Sequence, residues 1–168
     1  MEIQIRPWEN EDTDALTFAA NNTNIGATLR DGFPFPYTIK DAEQWISANI
    51  DKDPITNFAI LANGQIAGGT GFLLKDNIYR KNAEIGYWLA EPFWNKGITT
   101  EAVRLLTNHI FTGFDIDRIY AEVFSNNPSS MKVLEKNSFH LDALHRKSII
   151  KNNQVLDMYH WVKFRERF

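Results

Sequence analysis

Residues 3–7, IQIRP, alternate apolar and polar positions with the two-residue period of a half-buried strand. Residues 11–22 then carry their acids early and Leu16, Phe18, Ala19 and Ala20 afterwards, the arrangement of a helix. Pro34 and Pro36 forbid regular structure between residues 33 and 36, and Thr38 with Asp41 forms a capping-box pattern ahead of Ala42, Trp45, Ile46 and Asn49 at helical spacing. Two strand-like runs in residues 56–74 flank Asn63-Gly64, the dipeptide that best tolerates the positive φ of a type I′ hairpin. The second run holds Gly68, Gly69 and Gly71, which mark a bulge, a close backbone approach or simple packing. After a turn near Asp76-Asn77, residues 83–90 read as another strand that Glu91-Pro92 ends.

From Ile98 the period changes from two to 3.6, with Ala102, Val103, Leu106 and Ile110 forming a stripe on a helix that stops near Gly113. Residues 117–124 alternate again, Asn127-Pro128 opens a helix, and residues 139–150 and 154–164 make two long strands around a polar turn. The predicted order is β-α-α-β-β-β-α-β-α-β-β. It indicates an α+β domain built on a mixed sheet, and without repeats or a linker the expected organisation is a single domain over 1–168.

Composition narrows the chemistry. The chain has no cysteine, which removes disulfides, thiolate nucleophiles and thiolate metal sites. Its four histidines lack close ligand spacing, so no metal is expected, and His109 reads as structural. A net charge of −3 gives no general attraction to nucleic acid or anionic membranes. The apolar runs are too short to span a bilayer and the N-terminus is not a signal peptide, so the expected location is cytoplasmic. An anionic ligand must therefore be met by local geometry.

One stretch has that geometry. Asn95-Lys96-Gly97-Ile98-Thr99-Thr100 lies between a strand and a helix, whose first backbone N–H groups have no partner within it. Gly97 permits close approach, Thr99 and Thr100 add hydroxyls, and the helix dipole favours an anion such as a phosphate. An ordinary helix start has the same residues, and the pattern is neither a Walker loop nor GxGxxG.

EIGYWLAEPFWNKGITTEAVRLL (84–106) and RIYAEVFSNNPSSMKVLEKNSF (118–139) together resemble the GNAT N-acetyltransferase superfamily, and within it the RimJ/RimL-type ribosomal-protein N-terminal acetyltransferases. RDGFPFPYTIKDAEQWI (30–46) is similar to the segment between that branch's first helices. The resemblance implies the GNAT fold, a central, mostly antiparallel twisted sheet flanked by helices. It implies acetyl-CoA as co-substrate, with its pyrophosphate on the loop of Asn95, Lys96, Gly97, Ile98, Thr99 and Thr100 and its pantetheine along Tyr87, Trp88 and Leu89. Asn127 and Ser130 match the later coenzyme-binding loop. Trp94 replaces the family's Gln or Arg, Thr99 its second Gly or Ala, and KNSF (136–139) its KLGF, which puts Asn137 or Ser138 in a glycine-like conformation.

Acetyl transfer to an amine needs a deprotonated nucleophile, a donor for the developing oxyanion and a proton for the leaving thiolate. By resemblance Glu84 is the general base, with a surface glutamate the alternative, and a backbone N–H near Trp88 is the oxyanion donor. The family's acidic tyrosine is replaced by Leu134, which leaves Ser130 as the proton donor or as a cap and coenzyme contact. Phe33, Phe35 and Tyr37, with Trp45, form either an acceptor-binding lid or core. The acceptor amine is open between a protein N-terminus and a small molecule, and the long C-terminal strands ending WVKFRERF suggest a homodimer. A non-catalytic acyl-CoA sensor is the alternative to an enzyme.

Overall fold

The computed structural model describes residues 1–166. The elements are β1 (Ile3–Pro7), α1 (Thr13–Ala20), α2 (Thr23–Gly26), α3 (Ile39–Asn49), β2 (Asn57–Ala62), β3 (Gln65–Leu74), β4 (Asn82–Leu89), α4 (Ile98–Gly113), β5 (Arg118–Phe124), α5 (Pro128–Lys136), β6 (His140–Lys151) and β7 (Gln154–Phe164). Their seven strands form one sheet in the order β1-β2-β3-β4-β5-β7-β6. Every neighbouring pair is antiparallel except β4 and β5.

The order expected from periodicity is present, with one addition. The helix expected within 11–22 is α1, which stops at Ala20 because Asn21 leaves helical geometry (ψ 68°) and uses its side chain to accept the Tyr37 N–H. Asn22 then caps the extra short helix α2 by accepting from the Asn24 N–H at 2.8 Å. The other local signals act where expected. Thr38 and Asp41 cap α3 reciprocally. Asn63 and Gly64 both have positive φ at the β2–β3 hairpin, and Asn152 and Asn153 do the same between β6 and β7. Ser138, not Asn137, takes the left-handed conformation after α5.

Strand β2 shows why the sheet is covered on both sides. Its alternate residues Ala59 and Leu61 join Trp8, Leu16, Ala42 and Ile46 under α1 and α3, whereas Ile60 and Ala62 pack with Ile98 and Ala102 of α4. Farther along the sheet, Val103, Leu106, Ile110 and Leu134 of α4 and α5 cover Ile85, Ile119, Ala121 and Trp161. On the opposite face the cluster under α1 and α3 extends to Trp88 of β4. His109 places its ring between Phe58 (5.2 Å) and Phe114 (5.8 Å), a packing role. Among the described residues no helix is long and apolar enough to cross a membrane. The WVKFRERF segment expected at a dimer contact runs on into residues 167 and 168, which lie outside the described residues.

The β3 glycines answer to close approach and to a bulge. The register of β2 against β3 shifts beside Gly68, and a Cβ on Gly68 would overlap the Trp88 carbonyl oxygen. Gly68→Ala is expected to destabilise the fold by about 1–3 kcal/mol. Gly113→Ala, where a Cβ meets nothing within 4 Å, should instead stabilise it by about 0.4–1 kcal/mol; denaturant melts of the two variants check the contrast.

Candidate active site

The site begins where a strand pair separates. β4 and β5 are in register only at Asn82–Arg118, Ala83–Ile119 and Glu84–Tyr120, and past Glu84 they diverge. Strand alternation decides which main-chain groups of β4 face the gap. The Ala90 N–H donates to the Ala67 carbonyl and the Lys75 N–H to the Asn82 carbonyl, so even-numbered residues turn their backbone toward β3. The backbone groups of Tyr87 and Leu89 consequently face the open edge, while those of Trp88 belong to the β3 ladder. Of the backbone N–H groups near Trp88 expected to include an oxyanion donor, those that face the gap are on Tyr87 and Leu89. Trp88 enters the site through its ring, which lies edge-on to Phe33 at 5.6 Å.

The open edge leads directly to the N-terminus of α4. Asn95 (φ 60°) and Gly97 (φ 77°) are both left-handed, and this double reversal turns the chain into the helix. Glu101 makes the first intrahelical bond, to the Gly97 carbonyl at 3.2 Å. The N–H groups of Ile98, Thr99 and Thr100 meet no acceptor among the described residues, which leaves a positive cradle with Gly97 at its rim. Ile98 itself is buried beneath the cradle, and the half-buried Thr99 stands at its mouth. Two motif residues turn away from it. Lys96 donates to the Pro92 carbonyl at 2.8 Å, and the Trp94 indole donates to the Leu89 carbonyl at 2.7 Å, satisfying one acceptor on the open edge.

The far side of the gap is the start of α5. Asn127 caps that helix by accepting the Ser130 N–H at 3.3 Å, and Pro128 occupies its first turn. The Ser130 hydroxyl lies 2.7 Å from the hydroxyl of Tyr87, so a side chain of β4 reaches across to α5. Burial pushes the Tyr87 hydroxyl well above its ordinary range, which keeps it protonated. The sequence gives no sign of this partnership, because the two residues lie 43 positions apart.

Glu84 lies on the opposite face of β4, with a side chain only 14% exposed. Its carboxylate accepts from Arg30 (2.6 Å), Lys75 (2.8 Å) and Tyr120 (3.2 Å). Burial pushes its carboxyl up, but Lys75, Arg30 and Tyr120 together hold it below the usual range. The same Arg30 nitrogen also bonds Glu122 at 2.9 Å. Two carboxylates and two cations thus balance one another. Beside them Arg118 donates to Nε2 of His160 at 3.0 Å, and burial followed by the charge of Arg118 lowers the imidazole pKa. That ring is neutral, with its proton on Nδ1, 3.9 Å from Glu122.

The three aromatics expected over an acceptor part company. Phe33 faces Trp88, whereas Phe35 is 58% exposed and points outward. Tyr37 is 6% exposed and is core: burial, with Asp41 nearby, pushes its hydroxyl up to about 12. The pull of Asn21 on the Tyr37 N–H draws the segment inward. Arg30, Lys75 and Glu122 were missed, since each reaches the site through contacts distant in sequence. Among the described residues no three His, Asp or Glu side chains gather as a metal site.

A sheet split beside a helix N-terminus leaves an extended edge free to hydrogen-bond a linear ligand and a cradle suited to an anionic group. The described acetyltransferase (GNAT) domain matches residues 2–140, and the chain belongs to the GNAT acetyltransferase family. It is 44% identical over 160 residues, 88% of this chain and 85% of the relative, to the Bacillus subtilis protein named Probable N-acetyltransferase YjcK. Mycobacterium smegmatis RimJ in complex with CoA-disulfide shares the fold with a TM-score of 0.85 at 20% identity, over 96% of this chain and 81% of that one. Spermidine N-acetyltransferase from Vibrio cholerae, in complex with CoA and spermine, does so with a TM-score of 0.79 at 20% identity, over 96% and 95%. The protein is an N-acetyltransferase.

The ion-paired carboxylate yields a pH prediction. Because the folded-state pKa of Glu84 is depressed, its stabilising contribution is present above the unfolded value and is lost as pH falls through the folded one. Lys75→Met should move the Glu84 titration, followed by carboxyl carbon NMR, to higher pH and make acid unfolding begin at higher pH. An unmoved midpoint would mean that Lys75 does not govern this carboxylate.

Proposed function

We propose that this enzyme transfers the acetyl group of acetyl-CoA to a primary amine by direct attack. The observation that carries the reading is the split between β4 and β5, bridged by the Tyr87–Ser130 contact and closed at one end by the α4 cradle. The residues fit the coenzyme. The free N–H groups of Ile98, Thr99 and Thr100 hold the pyrophosphate, with Gly97 and Asn95 shaping the loop and Lys96 steadying it through Pro92. The edge of β4 at Tyr87 and Leu89 takes the pantetheine as an added strand would be taken, and the Asn127 amide, with its oxygen engaged by the helix, offers its N–H groups to the same arm.

The bound coenzyme supplies an acetyl thioester at the gap. A backbone N–H of β4 meets the negative charge that grows on its oxygen. Tyr87 donates to the Ser130 oxygen, which leaves the serine's own proton for the departing sulfur. Glu84, fully ionised at neutral pH, attracts the ammonium of the acceptor. Its depressed pKa makes it a weak direct base, so the amine proton leaves through water at its carboxylate. Phe33 and Trp88 form the apolar wall beside it. The acceptor we favour is a protein N-terminus, as the motif resemblance to RimJ/RimL suggests, with a small amine as the second reading because Glu84 and Glu122 share the exposed Arg30 guanidinium, which a cationic amine can displace.

Thioester consumption measured with peptides and small amines tests the enzyme reading; coenzyme binding without turnover on any of them would favour an acyl-CoA sensor. Ser130→Ala should lower kcat by about 100-fold and Tyr87→Phe by about tenfold, the value of one hydrogen bond, each with little change in acetyl-CoA affinity. Gly97→Val, strained at φ 77°, should instead weaken coenzyme binding in calorimetry; unchanged affinity would displace the pyrophosphate from this loop.

A further inference from the structure

Gly86 is the residue of β4 that no structural demand explains. The β3 glycines are fixed by neighbours: a Cβ on Gly68 would overlap the Trp88 carbonyl, one on Gly69 would lie 2.7 Å from the Trp88 indole nitrogen, and one on Gly71 would lie 2.7 Å from the Thr56 carbonyl. A Cβ on Gly86 meets nothing within 4 Å, and its φ is not positive. Glycine weakens a strand interior, so neither conformation nor packing accounts for its presence.

Its surroundings give the space a use. Gly86 is exposed and shares a face with Glu84 and Trp88. On one side stands the Phe33–Trp88 ring pair, on the other the Glu84 carboxylate with Arg30. Alternate residues of a strand are roughly 7 Å apart, so Glu84 and Trp88 bracket a gap of about 13 Å between their Cα atoms. The adjacent edge of the strand, at Tyr87, opens onto the β4–β5 gap. At Gly86 only the thickness of a backbone separates the two.

We propose that Gly86 is the floor across which the acceptor amine reaches the thioester, and that its missing side chain sets acceptor size. This rests on the acetyl-transfer reading. Primary amines whose nitrogen-bearing carbon carries no side branch larger than a methyl group pass between the aromatic wall and the carboxylate, and amines with a bulkier branch there are refused. An unbranched alkylamine or a peptide beginning with alanine suits the gap, and a peptide beginning with valine does not.

The test uses the full chain with Gly86→Ala and Gly86→Val. Three probes, propylamine and two pentapeptides beginning with Ala and with Val, are titrated into protein saturated with coenzyme A and are also assayed with acetyl-CoA. The wild type should bind propylamine and the Ala peptide better than the Val peptide. Gly86→Ala should lower kcat/KM for them about tenfold and Gly86→Val about 100-fold, with acetyl-CoA affinity within about twofold of wild type and the melting temperature unchanged or raised. If Gly86→Val fails to fold, Gly86→Ala decides alone. Undiminished amine binding in the variants, loss of coenzyme affinity instead, or no amine binding to the wild type would each overturn the proposal. Amine binding that is lost in the variants without any turnover by the wild type would retain the proposal and reject the enzyme reading.

Discussion

Parallel pairing between β4 and β5 lasts for three residue pairs, and the site depends on its ending there. A split sheet leaves main-chain donors and acceptors unpaired, and such groups are costly unless water, a side chain or a ligand meets them. The protein meets them unequally. Trp94 satisfies the Leu89 carbonyl, and the Tyr87 side chain crosses to Ser130 on the α5 side. The rest of the edge stays open, adjoining the three free N–H groups that begin α4. Extended edge and helix cradle together suit a long ligand with an anionic portion.

The two faces of β4 divide the chemistry. Its Tyr87 side looks into the gap and toward α5, whereas its even-numbered side chains look toward the loop that carries Arg30. One guanidinium there ties two strands together through Glu84 and Glu122, where their backbone pairing ends. The ion pair of Lys151 with Asp31 fastens the β6–β7 hairpin to the same loop. Exposed pairs of this kind contribute little to stability. They hold the loop over this face of β4 and β5.

Much of this architecture was legible in the chain. Asn63-Gly64 and Asn127-Pro128 act through local backbone preferences, and each marks its turn or helix start as read. Periodicity also separated the strands from the helices. The motif placed the α4 cradle, Glu84 and Ser130. What sequence reading missed depends on register and on distance along the chain. That Trp88 turns its backbone to β3 is a matter of parity in a ladder. Arg30 meets residues 54 and 92 positions away. Whether Tyr37 is lid or core stayed open, because aromatic composition does not distinguish a wall from a core.

Asn137 stands where the resemblance expects leucine, and its amide does what an apolar side chain cannot. It donates to the Thr100 carbonyl in the first turn of α4 and to the Val133 carbonyl in α5, while Lys163 of β7 donates to its own carbonyl. The helix that begins with the cradle and the helix that carries Ser130 are thereby riveted to each other and to the sheet behind them. One amide thus ties the two helices that flank the β4–β5 gap, so a change at Asn137 would alter the spacing of the gap's two walls without touching either.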